Sequence, residues 1–311
     1  MTFVQLEYII AIDTYRHFAK AAEKCFVTQP SLSMQVQKME EELGLKLFDR
    51  SKQPVVPTEA GAAIIEQARK IMAEKTVINE IVQQKKGIIT GTLHIGIIPT
   101  LAPYLLPLFV QQFLKKYPLV KLVVTELTTE RIITRLKEGR IDAGILVTPL
   151  DEKGIKEEIL FYEEMMAYVS KKDKAYKKMY ILPQDIDPNK VWLLEEGHCF
   201  RSQIINLCEL RKASREGGHF DYEAGSIETL RRLVELNDGI TIIPELATLN
   251  ISKQQMQLIR HFKSPSPMRE VSIATHRDFV KKRLIELLKE AVISSLPEKI
   301  KKNKAKNVIN I

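Results

Sequence analysis

The sequence predicts a multidomain chain of mixed α+β and α/β class: a helical head, one long connecting helix and a two-lobed α/β body. Three observations carry this reading. Two short amphipathic helices meet at a Thr28-Gln29-Pro30 turn near the N-terminus, and a single apolar seam follows between residues 58 and about 86. From Leu93 onward short apolar runs alternate with amphipathic helical segments, the pattern of a parallel sheet covered by helices. At 311 residues the chain is long for one domain. The expected divisions are 1–58, 59–90 and 91–296, with a basic tail over 297–311.

The head opens with a helix from Thr2 to Thr14, whose Phe3, Leu6, Ile9 and Ile10 form one stripe. A short alanine-rich helix runs from Phe18 to Cys25. Thr28 can cap a third helix, and Pro30 fits its first turn. Leu32, Val36, Met39 and Leu43 then recur at i, i+4, i+7 and i+11, which turns Ser31, Gln35 and Lys38 to the other face. Gly44 stops this helix, and LKLFDRSKQPVVPTEAG reads as two extended pieces of a β-wing. The whole is a winged helix-turn-helix. A short scaffold helix, a tight turn and a second helix with a polar outer face can enter the DNA major groove, about 12 Å wide. Gln29, Ser31, Ser33 and Gln35 are the candidates for base edges, with Thr28 and Pro30 at the turn, and Lys38, Arg50 and Lys52 for phosphates. Pattern alone does not decide this, because paired amphipathic helices are common in proteins that bind no nucleic acid.

Thr58 to about Lys86 is expected as one long helix with Ile64, Ala68, Ile71, Ile78 and Val82 at alternating steps of four and three, interrupted by Lys75. That is coiled-coil spacing, so the helix either dimerises or packs on a later part of its own chain. After a linker at Gly87 to Gly91, the predicted order is strand Leu93 to Ile98, helix Leu101 to Lys116, strand Val120 to Glu126, helix Thr129 to Glu138 and strand Ile141 to Val147. A second set follows: strand Val191 to Leu194, helix Phe200 to Arg211, strand Phe220 to Glu223, helix Ser226 to Leu236 and strand Gly239 to Ile243. A last strand, Glu270 to Thr275, and a helix from Asp278 to Ile293 can return to complete the first lobe.

Composition narrows function less than pattern does. The chain is 45% hydrophobic and 28% charged, and no apolar run approaches the ~18 residues of a membrane span. Its N-terminus lacks a basic leader, so the expected compartment is the cytosol, with no membrane partner. The net charge of +8 suits a polyanion, yet residues 1–87 hold 12 Lys/Arg against 11 Asp/Glu. Five lysines lie from Glu298 onward, in a tail expected to be a frayed, solvated end. Three cysteines make no disulfide framework, and without CxxC or HxxxH spacing neither a metal site nor a cofactor is expected. Cys25 is expected in the core, and His17, His94 and His261 as structural or surface residues.

The run FAKAAEKCFVTQPSLSMQVQKMEEELGLKLFDRS closely resembles the N-terminal module of LysR-type transcriptional regulators, through Ala19, Ala22, Thr28-Gln29-Pro30, Ser31, Ser33, Leu43-Gly44, Phe48 and Arg50. The resemblance extends over the whole chain. It implies a regulator rather than an enzyme, with a long dimer helix and a C-terminal domain of two α/β lobes like those of periplasmic binding proteins. It also implies a homotetramer, a dimer of dimers, on adjacent promoter half-sites, with RNA polymerase as a further partner.

In open α/β sheets ligands bind where loops leave the carboxyl ends of strands. Thr100, Thr129 and the segment Gly197-His198-Cys199 fall there. A helix N-terminus and a neighbouring cationic group lower a thiol's pKa, which makes Cys199 a candidate peroxidatic thiolate beside His198. Cys208 is the candidate resolving thiol. Nine residues of helix would hold the two about 13 Å apart on opposite faces, so a disulfide requires that helix to unwind. The bland alternative is two small buried hydrophobes. The run Glu196-Gly197-His198-Cys199-Phe200-Arg201, with Cys208, Thr100 and Thr129, resembles the hydrogen peroxide-sensing branch of the family. That resemblance implies peroxide held by the threonines, attack by Cys199 and capture by Cys208. Ser202 stands where that branch usually carries an aspartate. A LysR-type regulator with a small organic effector between its lobes is the alternative.

Overall fold

A computed structural model describes residues 1–85, 88–195, 199–208, 225–276, 281–305 and 307–309. They form two units, Met1–Ile89 and Thr90–Ile311.

In the first unit Thr2 caps α1 (Phe3–Tyr15) in a reciprocal capping box with Gln5. His17 caps α2 (Phe18–Lys24) and Thr28 caps α3 (Gln29–Leu43), its hydroxyl accepting from the Ser31 amide. Leu32, Val36 and Met39 are fully buried and pack with Leu6, Ile9, Ile12 and Ala21 in one core. Gly44 ends α3 with φ +70°, the left-handed conformation that favours glycine. The wing is the antiparallel pair β1 (Phe48–Asp49) and β2 (Val56–Pro57). Thr58 caps α4 (Glu59–Lys85), its hydroxyl accepting from Gly61. Gly61 has to be glycine, because a Cβ there would lie 1.9 Å from the Leu47 carbonyl oxygen.

The second unit begins with the expected β-α-β-α-β run: β3 (Gly91–Ile97), α5 (Ala102–Lys116), β4 (Val120–Glu126), α6 (Thr129–Lys137) and β5 (Ala143–Thr148). β3 pairs in parallel with both β4 and β5. A 15-residue strand absent from the sequence reading, β6 (Ile155–Val169), then crosses into the second lobe. There follow β7 (Tyr180–Ile181), α7 (Cys199–Leu207), α8 (Ile227–Leu236), β8 (Ile240–Pro244), α9 (Lys253–Met256) and β9 (Ile259–Phe262). β10 (Met268–His276) returns between β5 and β6, antiparallel to both, and α10 (Lys282–Ser295) packs on α5. One continuous sheet of order β4-β3-β5-β10-β6-β9-β7, with β8 on β6, therefore runs through both lobes. The expected strand Val191 to Leu194 shrinks to isolated bridge residues at its two ends, Val191, which pairs with Ile240, and Leu194, and the expected strand Phe220 to Glu223 lies outside the described residues. Among the described residues no helix is long and apolar enough to cross a membrane.

The tail corrects the sequence reading. After α11 (Glu298–Lys301), Asn303 donates to the Tyr162 carbonyl (3.1 Å) and to Glu245 Oε2 (2.9 Å). Val308 forms a parallel bridge with Met268, where the Met268 amide donates to Asn307 and the Ile309 amide to Met268. The Asn303 side-chain amide and backbone bonds at residues 307–309 dock this segment, and a count of lysines cannot reveal them.

Candidate functional site

In the first unit, α3 exposes Gln29, Pro30, Met34 and Lys38, with Ser31 and Ser33 at the margin. Thr28 is exposed at the turn. Met34 is 62% exposed on this face, an apolar side chain that a pattern of polar outer residues does not point to. Gln35 is turned toward α1: its backbone and side-chain oxygens accept from the buried Gln5 at 3.4 and 3.3 Å. Arg50 ties the wing to α3, donating to Ser33 Oγ (3.3 Å) and to the buried Glu40 (3.3 Å) while its guanidinium covers the Phe18 ring. Lys52 stays exposed, 3.7 Å from Asp49.

In the second unit, Ile97 and Glu126 are register partners at the ends of β3 and β4, so the loops bearing Thr100 and Thr129 leave the same end of the sheet. Thr129 opens α6, and its hydroxyl oxygen is buried without a hydrogen-bond partner among the described residues. Thr100 is buried and held twice by Arg269: one guanidinium nitrogen donates to its hydroxyl (3.1 Å), another to its carbonyl (3.2 Å). Arg269 and Glu163 are cross-strand neighbours on β10 and β6, both fully buried and 2.7 Å apart. Glu163 also accepts from the Leu246 amide, so the pair is hydrogen-bonded as well as charged. The Arg269 guanidinium lies 5.1 Å from the centre of the Phe200 ring, in the first turn of α7. One buried arginine thus joins the Thr100 loop to the helix that begins with Cys199. Its sequence signal was a lone cation inside the apolar run Met268 to Thr275.

Described residues cover only part of the predicted redox site. His198 lies outside them, and Cys199 is described by its backbone, as the first residue of α7. Helical bonding continues to the far end, where the Cys208 amide donates to the Ile204 carbonyl (3.0 Å). Cys208 is a free thiol buried in the lobe's core with Phe200, Ile204 and Leu230, and burial pushes it up to about 12. Nine residues at 1.5 Å of rise hold the two cysteines about 13 Å apart along the axis. Between them Gln203 is completely buried, its amide nitrogen donating to the Ile309 carbonyl (2.7 Å), while Arg201 donates to the Leu194 carbonyl (2.8 Å). Ser202 is exposed.

Residues 3–62 match the family described as bacterial regulatory helix-turn-helix protein, lysR family, and residues 86–296 match the LysR substrate binding domain. The chain belongs to the LysR family. As a LysR protein it is a transcription regulator with a winged head and a two-lobed body. Among its relatives, the hydrogen peroxide-inducible genes activator of Haemophilus influenzae is 34% identical, covering 88% of this chain and 90% of that protein. The DNA-binding transcriptional dual regulator OxyR of Escherichia coli is 32% identical, covering 94% and 95%. A full-length OxyR variant from Pseudomonas aeruginosa superposes with a TM-score of 0.79 at 32% identity, over 94% of this LysR chain and 98% of its own.

Proposed function

We propose that this LysR regulator responds to hydrogen peroxide through Cys199 and Cys208. The observation that carries the proposal is α7 itself: a regular helix that opens at one cysteine and holds the other buried at its far end. The Cys199 thiolate attacks one peroxide oxygen. An S–O bond forms, the O–O bond breaks, and the departing hydroxide takes up a proton as water. Thr100, Thr129 and His198 are the residues assigned to bind the peroxide. The Cys208 thiol then loses its proton and its sulfur attacks the sulfenic sulfur of Cys199: the S–S bond forms, the S–O bond breaks, and the departing hydroxide takes up that proton as water. Because a disulfide tolerates Cα atoms at most about 7 Å apart, α7 must come undone first. Unwinding strips Phe200 from Arg269 and Gln203 from Ile309, which is how a local bond becomes a change of the whole lobe.

Residues 1–58 are assigned to DNA binding through Thr28, Gln29, Pro30, Ser31, Ser33, Gln35, Lys38 and Arg50. Residues 59–90 are assigned to dimerisation, 91–296 to sensing, and two dimers are expected to assemble on neighbouring half-sites and meet RNA polymerase. The test is a peroxide titration of the purified chain with thiol counting and DNA footprinting on the same samples. Two thiols lost per chain together with an altered footprint is the expected result. Thiols lost with an unchanged footprint, or a normal response from Cys199→Ser, would sink the mechanism; the second outcome would favour a small organic effector.

A further inference from the structure

α2 ends at Lys24 with Cys25 as its cap, and the chain then reverses through Phe26. The Phe26 amide donates to the Glu23 carbonyl (3.2 Å) and the Val27 amide to the Ala22 carbonyl (3.0 Å). These two bonds define a Schellman turn, whose left-handed position belongs to glycine, or to asparagine, because a larger side chain crowds the backbone there. Phe26 occupies it at φ +57°. A bulky residue in that conformation is an outlier that something has to compensate. Among the described residues nothing inside the unit does so: Phe26 is 94% exposed, while the neighbouring Cys25 and Val27 pack against the core. The benefit therefore lies with a partner. Phe26 stands two residues before the cap of α3, separated from the exposed Thr28, Gln29 and Pro30 only by the half-buried Val27.

We infer that Phe26 contacts DNA, its ring packing on the apolar face of the duplex at the rim of the groove that α3 enters. The inference rests on the DNA-binding reading of the head. A phenyl ring has no hydrogen bond to offer, so its partner surface on a duplex is carbon: a deoxyribose edge or a thymine methyl. Such a contact adds affinity without releasing counterions, unlike the phosphate contacts of lysine and arginine.

The experiment uses the full chain and a 30-base-pair duplex selected from a random pool by the wild-type protein. Phe26→Asn and Phe26→Gly both accept the left-handed backbone, so each is expected to melt at or above the wild-type temperature. Each is also expected to bind the selected duplex at least fivefold more weakly, with the same dependence on salt. Replacing thymine by uracil separates the two carbon surfaces. A wild-type affinity that falls to the variants' level identifies the thymine methyl, and one that does not move identifies deoxyribose. Variants that bind within twofold of wild type overturn the role of Phe26 and leave the DNA-binding reading intact. Failure of the wild type to select any duplex overturns both. A shift in sedimentation mass on substitution overturns the inference in favour of a second copy of the chain as the ring's partner.

Discussion

Burial pushes the Cys208 thiol up to about 12. At pH 8 about one such thiol in 10⁴ is ionised, against about a quarter of ordinary ones near 8.5. Iodoacetamide at pH 8 is therefore expected to modify Cys208 in the folded, reduced chain at least about 10²-fold more slowly than after denaturation, as read by mass spectrometry of the peptide; equal rates would mean the core around it is open. A second residue-scale expectation concerns Asp142 in the first lobe. Its carboxylate accepts from the His94 amide (2.8 Å) and Lys281 (2.8 Å). Burial works to raise the group, but the His94 bonds and the lysine outweigh it and hold the carboxyl below its ordinary value. A depressed native value stabilises the fold above the unfolded value of ~3.9, and that contribution disappears as pH falls through the native one. The gap in urea midpoint between wild type and Asp142→Asn should be full at pH 6 and shrink below about pH 3.9. A gap independent of pH would show that packing, not charge, is what the substitution removes.

Elements differ in how plainly the sequence announces them, and the difference has physical causes. The cap Thr28, the stop at Gly44 and the buried row Leu32, Val36 and Met39 are local signals, so the helices of the head were legible, whereas the exposure of Phe3 and the inward turn of Gln35 depend on packing between helices. β6 was not legible, because Glu157, Glu158, Glu163 and Glu164 interrupt its apolar pattern. Glu163 faces the core and its charge is met by Arg269, over a hundred residues away. The candidate threonines were legible from their place after strands, whereas the arginine that holds Thr100 depends on that distant pairing. The tail was misread for a related reason, and it yields an element-scale expectation. A chain ending at Lys304 keeps Asn303 but loses the bridge at Met268 and the Ile309 carbonyl that the Gln203 amide nitrogen donates to; the Gln203 side-chain oxygen already has no partner among the described residues. Stranding a buried polar group costs about 1–3 kcal/mol, or roughly 2–4 °C per kcal/mol for a domain of this size. The truncated chain should melt lower, and its amides from 203 to 208 should exchange faster with solvent. Adding Gln203→Leu should restore much of the loss, because an apolar side chain of similar size needs no partner. Without that recovery the tail would be acting through contacts other than Gln203.

At the scale of the whole molecule, the unsatisfied surface is the seam of α4. Ile65 and Ala68 are buried in the head's own core, but farther along Ile78 is 64% and Val82 is 47% exposed. Beside Ile78 and Ile71, a cavity of about 280 Å³ is lined by Phe3, Gln67, Lys70, Glu74 and Lys75. The early turns of the helix thus belong to the head, while the later ones present Ile78 and Val82 at coiled-coil spacing, left exposed among the described residues of their own unit. A symmetric pairing of two such helices would bury both seams and set two heads at a fixed separation. Duplex binding then becomes bivalent, the second head being delivered at an effective concentration fixed by the first, so breaking the pair costs more than one head's contacts. Ile78→Glu together with Val82→Glu places like charges across the seam. Sedimentation should show this variant shifting toward lighter species, and its affinity for a two-half-site duplex should fall by about 10²-fold or more, while affinity for a single half-site stays near that of the wild type. The head's melting temperature should hardly move, since neither side chain contributes to its core. If the doubly charged variant kept its assembly state and its two-site affinity, the seam would be an ordinary exposed helix face and the assembly would have to be built from the regulatory lobes instead.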